Sequence, residues 1–119
     1  MKKKKIICFD LDNTICETSG NKYLKSIPIK KNINFINKLS LKGYYIKIFT
    51  ARYMGRSKEN SKLAKQRGYK NTLIQLNKWN VKFDELIFGK PSYDIFVDDK
   101  ALFYKKNWIT ELSKNLKIS

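Results

Sequence analysis

Short apolar runs rich in branched and aromatic residues alternate with segments of helical periodicity along this chain. That alternation constrains the fold more than any other feature. Residues 4–9 form the first run and read as a buried strand. Residues 10–25 are polar and loop-like, with Gly20 and Asn21. Ser26-Ile27-Pro28 is expected to open a helix, because proline suits a first helical turn. Ile29, Ile33 and Ile36 then recur at i, i+4 and i+7, and Gly43 stands where the helix would stop. Residues 44–49 read as a second strand. Helices are expected over 57–67, ending at Gly68, and over 71–80 with Leu73, Leu76 and Trp79 on one side. A short strand over 85–88 ends at Gly89, a fourth strand covers 94–97, residues 101–104 turn or add an edge, and a helix closes over 107–116. Strands alternating with helices argue for an α/β fold with a mainly parallel sheet and right-handed crossovers. With 119 residues and no repeat, linker or composition break, the chain reads as one domain spanning residues 1–119.

Composition excludes several chemistries. There is no histidine, which removes histidine bases, nucleophiles and metal ligands. Two cysteines, Cys8 and Cys16, are too few for a disulfide framework or a four-cysteine zinc site. Cys8 lies in an apolar run and is expected in the core. No window approaches 18 apolar residues, and the run after the opening lysines is too short for a signal peptide, so a cytoplasmic protein is expected. Lysines 2–5 read as a solvated lead-in. The formal charge of +16 invites a nucleic-acid reading. Against it, only Arg52, Arg56 and Arg67 among the basic residues are arginine, and the lysines are spread along the chain.

Open α/β sheets bind ligands at the carboxyl ends of their strands. After the first strand comes Asp10-Leu11-Asp12-Asn13-Thr14, and after the second Thr50-Ala51-Arg52. Lys90-Pro91 follows the third and Asp98-Asp99-Lys100 the fourth. Four of the ten acidic residues thus fall in two strand-end clusters. Like charges about 4 Å apart repel by roughly 4 kcal/mol at an effective dielectric near 20, so a cation is expected among them. With only oxygen ligands on offer, that cation would be Mg²⁺. Lys90 adds a fixed positive charge, and Thr14 and Thr50 add hydroxyls, which together suit a phosphoryl group. A carboxylate such as Asp10 can then act as nucleophile.

The ordered set Asp10-x-Asp12-x-Thr14, Thr50, Lys90 and Asp98-Asp99 resembles the haloacid dehalogenase (HAD) superfamily of phosphohydrolases. All four motifs stand in the family's order over residues 4–104. Residues 89–101 are more specifically similar to its small capsule-biosynthesis phosphatase branch. The resemblance implies a Rossmann-like three-layer sandwich. It implies Asp10 as nucleophile and Asp12 as general acid and base. Mg²⁺ would sit on the Asp10 carboxylate, the Asp12 carbonyl and the Asp98-Asp99 pair, with Asp99 the direct ligand. Thr50 would bind a phosphate oxygen, and Lys90 would neutralise the phosphoryl charge and Asp10. Asn13 replaces a common glycine there and tolerates left-handed backbone angles.

The intervals between strands leave no room for a cap domain. An open site takes a large substrate or borrows a wall from a second subunit. Residues 14–25 are the expected flap, with Tyr23 either touching substrate or an ordinary surface aromatic. Arg52 is the candidate contact beyond the phosphate, with a surface pair to Glu59 as the alternative. The leading expectation is a Mg²⁺-dependent phosphomonoesterase acting on a sugar phosphate or related metabolite of capsule synthesis. The alternatives are a phosphatase of nucleic-acid ends or phosphoproteins, and a catalytically silent binding module. A phospho-accepting receiver domain is disfavoured, since its acid pair comes first and its acceptor aspartate later.

Overall fold

The computed structural model describes residues 5–118. Of the lysine lead-in, only Lys5 falls among the described residues, and it is exposed. In chain order the elements are β1 (Ile6–Asp10), β2 (Cys16–Glu17), β3 (Ile27–Pro28), α1 (Lys30–Leu41), β4 (Tyr45–Thr50), α2 (Ser61–Lys78), β5 (Glu85–Phe88) and α3 (Trp108–Leu116). Single 3-10 turns lie at Tyr23–Lys25 and Gly55–Ser57.

Strands β1, β4 and β5 form a parallel sheet in the order β1-β4-β5. Helix α1 carries the chain from β1 to β4, and α2 carries it from β4 to β5. The result is the α/β sandwich expected from the sequence, a parallel sheet flanked by helices, with no cap domain among the described residues. Alternation along β4 buries Ile46, Ile48 and Thr50. Helix α1 buries Ile33, Phe35, Ile36 and Leu39. Trp108 of α3 meets Phe9 of β1 and Phe35 of α1 edge-on, at 6.0 and 5.6 Å between ring centres. The third helix is therefore held to both earlier elements by aromatic contacts. The β2–β3 pair is antiparallel and closes residues 18–26 into a loop over the carboxyl end of β1.

Several expectations need correction. The helices expected over 57–67 and 71–80 are one continuous helix, α2, that runs through Gly68. The glycine is a packing requirement rather than a stop. A Cβ there would overlap the Tyr53 ring and lie 3.0 Å from the Phe88 ring. Pro28 sits in β3, and α1 begins two residues later. Residues 94–97, expected as a fourth strand, have no ladder partner, and Ile95 and Val97 are 83% and 92% exposed. Strand propensity reflects packing against paired strands, and among the described residues this run has no strand beside it. Cys8 is exposed rather than buried, because β1 is an edge strand and the face carrying Ile6 and Cys8 is uncovered.

Gly68→Ala should destabilise the fold by about 1–2 kcal/mol, since overpacking against Tyr53 exceeds the gain in helix propensity. Gly55→Ala, where an added methyl meets nothing within 4 Å, should be near neutral. Urea unfolding of the two variants checks this.

Candidate active site

The carboxyl ends of the three parallel strands deliver the candidate residues to one edge of the sheet. Asp10 ends β1, Thr50 ends β4, and Lys90 lies just past β5. The backbone N–H of Lys90 donates to the Thr50 carbonyl (3.1 Å), so the ladder still holds the lysine after the strand has ended. Its ammonium lies 3.2 Å from Asp10 Oδ1. The Lys90 side chain is 11% exposed and that of Asp10 is 39% exposed, so the lysine is fixed while the carboxylate faces an opening. The ammonium also faces the rings of Tyr93 (5.3 Å) and Phe96 (5.6 Å).

Burial pushes the Asp10 carboxyl above the ordinary aspartate value. Lys90 opposes that push, and the nearby Asp12 charge adds to it. Burial by itself would lower the Lys90 ammonium. A hydrogen bond with Tyr93 and the Asp10 charge outweigh it, and the lysine is held above its usual value.

Asp12 follows in a tight turn. Asn13 there adopts a left-handed φ of 64°, as its residue type allows. The Ile15 N–H donates to the Leu11 carbonyl (2.8 Å), and the Thr18 N–H to Asn13 Oδ1 (3.1 Å). The Asp12 carboxylate pairs with Arg52, whereas Asp10 pairs with Lys90. Arg52 Nη2 lies 2.9 Å from Asp12 Oδ1, and Nε lies 3.1 and 3.0 Å from Oδ1 and Oδ2. The Thr18 hydroxyl donates to Oδ1 at 2.6 Å.

Arg52 is where the geometry departs most from the sequence reading. It is 2% exposed, so it is neither a surface residue nor the partner of Glu59, which binds Ser92 instead. Nη1 donates to Thr72 Oγ1 (3.3 Å) and Gln75 Oε1 (2.7 Å) on α2. Nη2 also reaches Ser26 Oγ (3.3 Å) and Cys16 Sγ (3.7 Å). Guanidinium has five N–H groups, and these contacts engage all of them. The Tyr23 ring covers the group at 5.0 Å. No donor remains for a substrate.

Tyr23 is accordingly part of the scaffold. It stacks on Tyr53 (4.9 Å), its hydroxyl accepts from the Tyr53 N–H (3.4 Å), and its carbonyl accepts from Gln75 Nε2 (2.8 Å). The expected flap is pinned to α2 at this point. Tyr53 itself has a φ of 65°, a conformation an aromatic residue adopts only under constraint, and it follows Arg52 directly. Cys16, Thr18, Ser26, Thr72 and Gln75 were not foreseen as site residues. The available signal was the i, i+3 placement of Thr72 and Gln75 on a helix expected to face the sheet.

Thr50 is buried, and its hydroxyl accepts the Arg52 N–H (3.0 Å), leaving its own O–H to donate. Thr14 is half-buried, with its carbonyl anchored by Asn32 Nδ2 (2.8 Å). Asp98 and Asp99 are exposed, and Asp98 accepts the Lys100 N–H (3.0 Å). A magnesium ion needs several converging oxygens. Among the described residues no group of three acidic or cysteine side chains converges, so the structure does not draw the expected carboxylates Asp10, Asp98 and Asp99 into one cluster. An open cleft of about 640 Å³ adjoins Asp12 through Thr18, with Glu17, Ser19, Lys22, Lys25 and Tyr104 among its walls.

No protein-family model matches the chain, and the search of curated proteins gives no match. A crystal structure of a structural-genomics target from Vibrio cholerae is similar over 95% of this chain and 98% of that one. Its TM-score is 0.77 and its identity 24%. That likeness shows the fold alone.

Because burial raises the Asp10 value, the stability this group contributes is full below the ordinary 3.8 and is lost as pH rises through the higher folded value. Urea midpoints of the wild type, measured against Asp10→Asn across the acidic range, should therefore fall over that interval and run parallel above it.

Proposed function

We propose that the protein hydrolyses phosphate monoesters through an aspartyl-phosphate on Asp10. The observation that carries this reading is the Asp10–Lys90 pair: a half-open carboxylate oxygen with a buried ammonium 3.2 Å away. A carboxylate nucleophile approaching a phosphoryl dianion is repelled, and a fixed cation beside it lowers that repulsion where charge develops. The Asp10 oxygen attacks phosphorus and the bond to the ester oxygen breaks. That oxygen keeps the bonding electron pair and takes a proton from Asp12. Water, giving its proton to Asp12, then attacks phosphorus, releasing phosphate and restoring Asp10.

The four motifs support placing the chain with the capless HAD phosphatases, and residues 89–101 support the capsule-biosynthesis branch. Magnesium belongs to the reading by that resemblance, and no step above is routed through it. A sugar phosphate is the substrate class the resemblance implies, and the Lys22 and Lys25 cations and the Ser19 hydroxyl line the cleft that adjoins Asp12 through Thr18. The charge of +16 favours a second reading, phosphorylated ends of a nucleic acid. A cytoplasmic location belongs to the same proposal, and its support is the exposed free thiol of Cys8. Among the described residues no helix is long and apolar enough to cross a membrane.

The test is phosphate release from sugar phosphates, nucleotides, a phosphopeptide and end-phosphorylated oligonucleotides, with Mg²⁺ and with chelator. Release should vanish in Asp10→Asn and fall about 100-fold or more in Lys90→Met. A best substrate among the oligonucleotides, with steep loss of activity in salt, would select the second reading. Folded wild type that releases phosphate from nothing would end both.

A further inference from the structure

The phosphatase reading gives Asp12 a proton to carry but says nothing of what aims it. We propose that Arg52 is a positioning residue. It clamps the Asp12 carboxylate through Oδ1, so that Oδ2 is the oxygen that exchanges the proton with the leaving group. The inference rests on the phosphatase reading and goes beyond the residue roles that the motifs imply.

The contacts are unequal between the two oxygens. Oδ1 accepts from Arg52 Nη2 (2.9 Å), Arg52 Nε (3.1 Å) and the Thr18 hydroxyl (2.6 Å), with the Cys16 thiol at 3.6 Å. Its lone pairs are saturated. Oδ2 accepts only a shared bond from Arg52 Nε, at 3.0 Å. It keeps room for a proton and a ligand oxygen. The Asp12 side chain is 21% exposed and that of Arg52 is 1% exposed, so the aspartate reaches the opening and the arginine does not.

Arg52 is itself held from outside the site. Gln75 and Thr72 fix Nη1 from α2, and the Tyr23 ring lies over the guanidinium. The planar fork therefore has one orientation, and Asp12 inherits it. Lysine has neither the fork nor the reach to hold both carboxylate oxygens. The same enclosure separates this role from substrate binding, because every N–H of the guanidinium already has a protein acceptor.

A positioning role predicts a dependence on the leaving group. An alkoxide must be protonated as it departs, whereas p-nitrophenolate leaves without help. The experiment compares kcat/KM for an alkyl phosphate and for p-nitrophenyl phosphate in wild type, Arg52→Lys, Thr18→Val and Asp12→Asn. This parameter ends at the first irreversible step, so hydrolysis of the aspartyl-phosphate does not enter it. In Arg52→Lys the alkyl ester should lose about 100-fold and the aryl ester less than about 5-fold, in the pattern of Asp12→Asn. Thr18→Val should show the same skew at smaller size.

Near-UV circular dichroism reports whether each variant is folded. If Arg52→Lys does not fold, Thr18→Val decides, since it removes one donor to Oδ1 and leaves the ion pair intact. Equal losses on both esters in the folded variants, or no loss on either, would overturn the positioning role. Wild type that releases phosphate from neither ester nor from any member of the substrate panel would overturn the phosphatase reading itself, a distinct result.

Discussion

A buried guanidinium joins the loop after the first strand to the second helix, and the rest of the candidate site is arranged around it. Taking Arg52 out of water costs several kcal/mol unless its charge is paired and its donors are satisfied. Asp12 provides the charge, while Thr72, Gln75 and Ser26 complete the donors. Among the described residues no buried side-chain polar atom lacks a partner. The consequence is structural before it is chemical. Residues from separate stretches of chain must stay in place together, because moving Asp12 strands the charge and moving the others leaves buried donors unpaired.

The two carboxylates of the Asp10-x-Asp12 motif therefore have different neighbours. Asp10 faces Lys90 at the mouth of the sheet, and Asp12 faces Arg52 beneath the loop. Each has its own cation in a chain whose formal charge is +16. One is left open beside a fixed ammonium, the setting the proposed nucleophile would need. The other is held by Arg52 on both oxygens, more heavily on Oδ1 than on Oδ2. The chain turns directly after Asp12, at Asn13, whose φ is 64°.

The sequence carried the three parallel strands and the polar residues at their carboxyl ends. Residues 85–88 were read as a strand with the bounds that β5 has, and residues 44–49 as a strand one residue ahead of β4. Asp10, Thr50 and Lys90 were placed at strand ends because that is where parallel sheets leave polar residues. Arg52 was misjudged because burial of an arginine depends on partners far away in sequence, up to 40 residues for Asp12. Gly68 was read as a stop, since local propensity does not show that Tyr53 occupies the space beside it. The run 94–97 has the composition of a strand, but composition does not supply a neighbour to pair with.

What the sequence determined by itself was local: periodicity, the turn residues, and the identity of the groups at the ends of strands. These follow from short-range sterics and from the alternation of apolar and polar side chains. What only the tertiary structure decided was which charged groups meet. Asp12 paired with Arg52 rather than converging with Asp98 and Asp99, and Tyr23 became a lid on the guanidinium rather than a surface ring. The reason is that pairing a buried charge is a long-range condition. It depends on which elements enclose the group after the chain has folded, and no window of sequence contains them all.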